Sequence, residues 1–123
     1  MSLPVELSAL RSRIAEHGAV AYLVTVGDRG TPHVVSVAVE LDDDHLVVGA
    51  GRSTRANLER SGEATLLWPP GPDPAYSLLV DATAVAVDGE RATLAPRSAV
   101  LHRVAGATGE GPTCVPVGDA TDG

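Results

Sequence analysis

The segment Val47–Asn57, with the sequence VVGAGRSTRAN, concentrates the residues of this chain that are best suited to binding an anion. An apolar run passes through glycines into Arg52, Ser53, Thr54 and Arg55, at the expected start of a short helix. The first backbone N–H groups of a helix have no partner within the helix, and they carry the positive end of its dipole. Hydroxyl and guanidinium donors placed there form a candidate phosphate-binding site.

The same residues also allow a structural interpretation, in which Ser53 is the N-cap of a surface helix whose arginines face water. The overall charge favours the anion site. The net charge of the chain is −7, and its nine basic residues are all arginines. A local group of cations therefore stands out against an acidic background.

Composition limits the class of protein. With 123 residues, 44 % hydrophobic and 20 % charged, the chain is expected to form one globular domain. Its acidity, with a pI near 4.8, argues against a nucleic-acid partner. A single cysteine cannot form a disulfide framework, and neither a membrane-spanning run nor a signal peptide is recognised at the sequence level. A cytoplasmic location without a membrane partner is therefore expected.

Periodicity and turn residues predict the secondary structure. Apolar residues recur at helical spacing from Leu3 to His17, and Gly18 follows as a cap, which indicates a leading helix. Alternating or β-branched runs predict six strands, with a short helix after the third and a terminal helix after the sixth. The strands are expected at Ala19–Val26, Pro32–Leu41, His45–Ala50, Ala64–Trp68, Ala75–Asp88 and Arg91–Leu94, and the two later helices at Thr54–Ser61 and Pro96–Val104.

Consecutive hairpins around a long fifth strand are typical of a closed or split barrel. The predicted fold is mainly β, a six- or seven-stranded antiparallel split β-barrel with short flanking helices. Residues 1–106 are assigned to this single domain. Residues 107–123 form a Gly/Pro-rich tail in which Thr113–Val117 could add an edge strand, where Pro116 is tolerated.

With these elements in order, the chain resembles the pyridoxamine 5′-phosphate oxidase-like, FMN-binding split-barrel proteins over about residues 7–104. The resemblance rests on the stretches EHGAVAYLVTV, GDRGTPHVVSVAVELDDDHLVV and GAGRSTRANLERSGEATLLW. It implies that the flavin phosphate lies at the start of the short helix and that the isoalloxazine ring lies against the two preceding strands. The cofactor-binding residues implied in this way are Val35, Ser36, Val37, Val48, Gly49, Ala50, Arg52, Ser53, Thr54, Arg55 and Asn57.

The resemblance further implies an FMN-dependent oxidoreductase that reduces a small substrate, and a homodimer whose second subunit completes the flavin site. A deazaflavin-dependent reductase is one alternative, and a non-enzymatic electron carrier or a scaffold without cofactor is another. Many family members carry a lysine in the phosphate loop, where this chain has arginines. Since the chain is too short for the C-terminal substrate-binding motifs of the vitamin-oxidising enzymes, oxidation of pyridoxamine phosphate is not expected.

The remaining polar residues predict no catalytic group and no metal site. His33, at the start of the second strand, could face the flavin or the substrate, but a solvated side chain is the expectation. His45 beside Asp42, Asp43 and Asp44 lacks the spacing of a transition-metal or calcium site. A flavoprotein needs no strong acid or base from the protein, because the cofactor performs the redox chemistry.

Overall fold

The structure is a computed structural model that describes residues 2–106. The chain begins with a short strand and a 3-10 turn at Leu7–Ala9. The helices are α1 (Leu10–His17) and α2 (Arg52–Ser61), and the strands are β1 (Ser2–Val5), β2 (Val20–Val26), β3 (Pro32–Asp42), β4 (His45–Gly49), β5 (Glu63–Trp68), β6 (Tyr76–Asp88) and β7 (Arg91–Arg103).

The strands form one antiparallel sheet in the order β1-β7-β4-β3-β2-β5-β6, and a further pairing between β6 and β7 closes it. The result is a six-stranded barrel, and β1 pairs as an extra strand with the C-terminal part of β7. The predicted fold, a mainly β split barrel with short flanking helices, is confirmed. Among residues 2–106 no helix has the length and apolar character needed to cross a bilayer.

The barrel interior is filled by aliphatic side chains that alternate along the strands with outward-facing ones. Trp68 is the exception in size: it is fully buried, and its Nε1 donates to the carbonyl oxygen of Gly18 at 2.9 Å. Leu10 and Ile14 from α1 and Leu58 from α2 join this core. On β3, Val37 and Val39 are buried and Val35 is partly buried, so this alternate set of side chains faces the core.

The predicted leading helix is wrong in its first half. Residues Ser2–Val5 form β1, which pairs with β7 so that Leu3 lies opposite Leu101 and Val5 opposite Ala99. Pro4 is tolerated because β1 is an edge strand, where one backbone donor is not needed. Helical structure begins only after this strand, at the 3-10 turn and α1.

The predicted terminal helix is also wrong, because β7 continues as one strand to Arg103. Ala99 and Leu101 point into the barrel while Ser98 and His102 are exposed, which is strand periodicity. The pairing with β6 shifts register where Asp81 faces Ser98 and Ala82 faces Pro96. This β-bulge accommodates the proline, which could not serve as an ordinary central-strand residue. The tail prediction, including Thr113–Val117, lies outside the described residues.

Candidate functional site

A groove opens where β3 extends beyond the end of β4. The ladder between these two strands runs from the pair Asp42 and His45 to the pair Val39 and Val48. β3 continues back to Pro32, whereas the chain after β4 turns away into α2. The space between them has a volume of about 560 Å³ and is lined by His33, Val35, Ser36, Val37, Ala38, Gly49, Gly51, Arg52, Ser53 and Thr54.

The wall that β3 contributes is an open strand edge. The backbone N–H of Val39 donates toward the β2 side, to the carbonyl oxygen of Ala19 at 2.7 Å. Because backbone groups alternate in direction along a strand, the N–H and C=O of Ser36 face away from β2, toward the groove. The β3–β4 ladder ends before this residue. The groove therefore offers both a main-chain donor and a main-chain acceptor.

The opposite wall is the N-terminus of α2. The first intrahelical bond runs from the N–H of Arg55 to the carbonyl of Gly51 at 2.9 Å, which leaves the N–H groups of Arg52, Ser53 and Thr54 without a helical partner. Gly51 occupies the N-cap, no side chain caps the helix, and no acidic residue lies in its first turn. The alternative with Ser53 as the N-cap is therefore wrong, and the helix starts two residues earlier than the expected Thr54.

The charge of the groove is opposite to that of the whole chain. Arg52 is the charged residue that lines it, and no carboxylate does. Its side chain is exposed and forms no hydrogen bond or ion pair with another residue of the described 2–106 range. A protein of net charge −7 thus presents here a guanidinium group beside a positive helix terminus, an arrangement suited to an anion.

Two glycines leave free space in the groove. A Cβ atom built on Gly49 or Gly51 would meet no other atom within 4 Å, and neither residue has a positive φ. Neither the backbone conformation nor the packing of the described chain therefore requires glycine at these positions. A ligand lying against the end of β4 would require it, because a side chain would occupy the same space.

Most of the residues expected to bind the cofactor line this groove, but four lie behind it. Val48 and Ala50 are buried in the barrel core. Arg55 donates from Nη1 to the carbonyl oxygen of Ala50 at 3.1 Å. Asn57 is 6 % exposed, and its Nδ2 donates to Oγ1 of Thr25 at 3.0 Å. Arg55 and Asn57 thus hold the loop and α2 in position, while Arg52, Ser53 and Thr54 face the groove.

His33 also lines the groove, so its position agrees with the ligand-facing alternative and not with the solvated side chain that was expected. Its Nδ1 is buried and has no hydrogen-bond partner among the described residues. Ala38 and Gly51 are the other groove residues that the sequence reasoning missed. The sequence feature that could have identified His33 is its position directly after Pro32, at the start of the strand whose edge forms the groove. Within residues 2–106, no group of three or more histidine, aspartate or glutamate side chains could hold a metal ion.

Comparisons with known proteins support the fold. No protein-family model matches the chain. The F420 reductase structure superposes with a TM-score of 0.59 at 14 % identity, over 72 % of this chain and 94 % of that one. A FAD-binding protein from Mesorhizobium loti gives 0.58 at 11 % identity, over 82 % and 96 %. HutZ, the heme storage protein from Vibrio cholerae, gives 0.53 at 12 % identity, over 76 % and 91 %.

Two mycobacterial proteins are related in sequence. The uncharacterized proteins Mb0449c of Mycobacterium bovis and MT0457 of Mycobacterium tuberculosis are each 36 % identical to this chain over 115 residues. Each alignment covers 80 % of this chain and 80 % of the relative. The chain therefore belongs to the same family as Mb0449c and MT0457, and it has the split-barrel fold.

Proposed function

We propose that the groove between β3 and α2 binds a phosphate-bearing flavin, FMN in the first instance, and that the protein is an oxidoreductase acting on a small substrate. The observation that carries the proposal is the pairing of an uncapped helix N-terminus and Arg52 with a wall free of carboxylates. In an acidic chain, that combination favours a ligand that brings its own negative charge.

The remaining walls suit the rest of such a cofactor. The phosphate would bind to the N–H groups of Arg52, Ser53 and Thr54 and to the Arg52 guanidinium. The flat ring would lie along the β3 edge, where the backbone of Ser36 offers a donor and an acceptor, and the space beside Gly49 would admit it. The volume of about 560 Å³ lies within the usual range of small-molecule sites, roughly 300 to 1,000 Å³.

A bound flavin would supply hydride or electron transfer, so the chain itself need only position the ring and the substrate. This agrees with the groove, whose lining holds no carboxylate and no cysteine. The FAD-binding protein from Mesorhizobium loti and the F420 reductase, both with this fold, support a cofactor of the flavin or deazaflavin type. A deazaflavin is the second candidate, and a carrier that binds FMN without turnover is the third.

A second copy of the chain would complete the site. The outward side chains of Val20, Tyr22 and Val34 are 56 %, 44 % and 56 % exposed, and we call this surface the β2–β3 outer face. Ser36 lies opposite Tyr22 and Ala38 opposite Val20 in the strand register, and both line the groove. An apolar surface of this kind is typical of an interface, and a copy packed on it would cover the open side of the groove.

The test is a fluorescence and absorption titration of the protein with FMN, with riboflavin and with a deazaflavin. We expect FMN to bind at least tenfold more tightly than riboflavin, a difference of about 1.4 kcal/mol. Arg52→Ala should reduce that difference, since the backbone N–H groups remain, and should not change the melting temperature, because Arg52 has no partner within residues 2–106.

Arg55→Ala is the matched control. It removes the bond to Ala50 and should lower stability by about 1 kcal/mol, while the preference for FMN over riboflavin remains. Equal affinity for FMN and riboflavin in the unchanged protein would refute the phosphate site. Binding of the deazaflavin alone would replace FMN with the second candidate, and absence of any binding would refute the proposed function.

A further inference from the structure

The imidazole of His33 differs from three other polar side chains of the described core, which have hydrogen-bond partners. Thr25 and Asn57 are bonded to each other, and Trp68 donates to Gly18. In contrast, Nδ1 of His33 is enclosed and unpartnered among residues 2–106. Because a buried donor without a partner is costly, this nitrogen is better suited to be an unused acceptor than a donor.

The two nitrogens of this ring have different surroundings. Nδ1 is enclosed, whereas Nε2 is not. Nε2 also has no hydrogen-bond partner among the described residues. The ring itself is partly exposed and lines the groove. Nε2 is therefore the nitrogen that a ligand in the groove can reach.

The enclosure of Nδ1 favours one tautomer of the neutral imidazole. A buried N–H without an acceptor is rarer in proteins than an acceptor that is left unused. The favoured tautomer therefore has its proton on Nε2 and the lone pair of Nδ1 in the enclosed position. Thr25 lies directly across the β2–β3 ladder from His33, but its hydroxyl, which accepts from Asn57, forms no hydrogen bond with Nδ1.

We infer that His33 is a ligand-binding residue of the groove, and that it donates a hydrogen bond from Nε2–H to an acceptor oxygen of the cofactor. The inference rests on the proposed function. Arg52 and the N–H groups at the start of α2, which also face the groove, are donors as well. A ligand rich in acceptor oxygens satisfies these donors, and a flavin provides such oxygens on its phosphate, its ribityl chain and its ring.

Two substitutions separate a donor at Nε2 from the mere shape of the ring. The amide of glutamine in His33→Gln reaches the position of Nε2, whereas the amide of asparagine in His33→Asn reaches only that of Nδ1. We expect His33→Asn to weaken FMN binding by about tenfold and His33→Gln to restore most of the affinity. Melting temperatures establish that both variants are folded.

Titration with riboflavin identifies the oxygen that accepts the bond. Weakening confined to FMN assigns it to the phosphate, and weakening of both ligands assigns it to the ribityl chain or the ring; either result supports the inference. Equal FMN affinities for the wild-type protein, His33→Asn and His33→Gln would overturn the inference. An equal loss in both variants would also overturn it, because the ring's shape rather than its donor would then be required.

The ligand-free protein provides a separate test. Long-range 1H–15N spectra of the histidine rings should show His33 with its proton on Nε2 and a pyridine-type Nδ1. A proton on Nδ1 would overturn the inference even if FMN binds. Failure of the wild-type protein to bind any flavin or deazaflavin would instead refute the proposed function. The spectra would still show which nitrogen of His33 carries the proton, so the two failures are distinguishable.

Discussion

At the residue scale, Gly49 and Arg52 have properties that the fold does not require. A Cβ atom at Gly49 would meet nothing within 4 Å, and Arg52 has no bonding partner within the part of the chain described. Residues that are conformationally or energetically unnecessary to the fold can be changed with little effect on stability. Their substitution therefore measures ligand binding almost alone.

Gly49 gives the clearest prediction at this scale. Gly49→Ala should leave the free energy of unfolding unchanged or raise it by about 0.4 to 1 kcal/mol, because alanine restricts the unfolded chain. Flavin affinity should fall progressively in Gly49→Ala and Gly49→Val, as the side chain fills the space proposed for the ring. Chemical denaturation and fluorescence titration measure the two effects separately.

Gly71 is the matched control for this series. A Cβ at Gly71 would lie 2.6 Å from the backbone oxygen of Glu16, so the neighbouring chain would have to move. Gly71→Ala should therefore destabilise the fold without specifically affecting the flavin site. Undiminished flavin binding by Gly49→Val would contradict the placement of the ring beside the end of β4.

At the element scale, the strands show how far local pattern predicts this fold. β2 to β6 follow from their alternation and from the turn residues between them. The second half of β7 does not, since alanine, arginine and leucine after Pro96 favour a helix locally. Its strand conformation comes from pairing with β6 along the whole barrel and from the bulge opposite Asp81 and Ala82. Such non-local pairing overrides local propensity.

The candidate site shows the same division. The short segment from Gly49 to Thr54 could be proposed as a candidate site because its residue types and its place before a helix favour anion binding locally. The sequence could not decide between alternatives for His33 and Asn57, because these depend on which side of α2 and β3 each side chain occupies. Only the assembled barrel shows that Asn57 points toward Thr25 and that His33 faces the groove.

The bond between Asn57 and Thr25 is predicted to fix α2 against the barrel. Both residues are buried, at 6 % and 1 % exposure, so Asn57→Ala should lower the free energy of unfolding by about 1 to 3 kcal/mol by leaving the Thr25 hydroxyl unpaired. Thr25→Val should cost a similar amount. In urea denaturation, the double variant should be less destabilised than the sum of the two single variants.

Glu59→Ala is the control, because this residue of the same helix is exposed and its loss should change stability by no more than about 0.5 kcal/mol. Strict additivity of Asn57→Ala and Thr25→Val would show that the two side chains do not interact energetically, contrary to the structure.

At the scale of the whole molecule, the β2–β3 outer face is the surface that a dimer would bury. Val34→Glu should shift the protein toward the monomer in sedimentation equilibrium, because it places a charge in an apolar interface. It should also weaken flavin binding, since the second copy is proposed to cover the groove. Both effects should appear together at the same protein concentration.

Val85→Glu provides a closely matched comparison. Val85 is 54 % exposed against 56 % for Val34, but it lies at the β6 bulge between Ala84 and Ala86, away from the β2–β3 outer face. This variant should keep both the dimer and the flavin affinity. Equal behaviour of the two variants would contradict the assignment of the interface.

The most direct test of the central claim is the change in the backbone amide 1H–15N spectrum when FMN is added to the wild-type protein. The proposed site predicts saturable shifts at Ser36 on the β3 edge and at Arg52, Ser53 and Thr54 at the start of α2. Amides at the far end of the barrel, such as those around Asp43, should remain unchanged. Shifts concentrated away from the groove, or no shifts at millimolar FMN, would contradict the claim that this groove binds the cofactor.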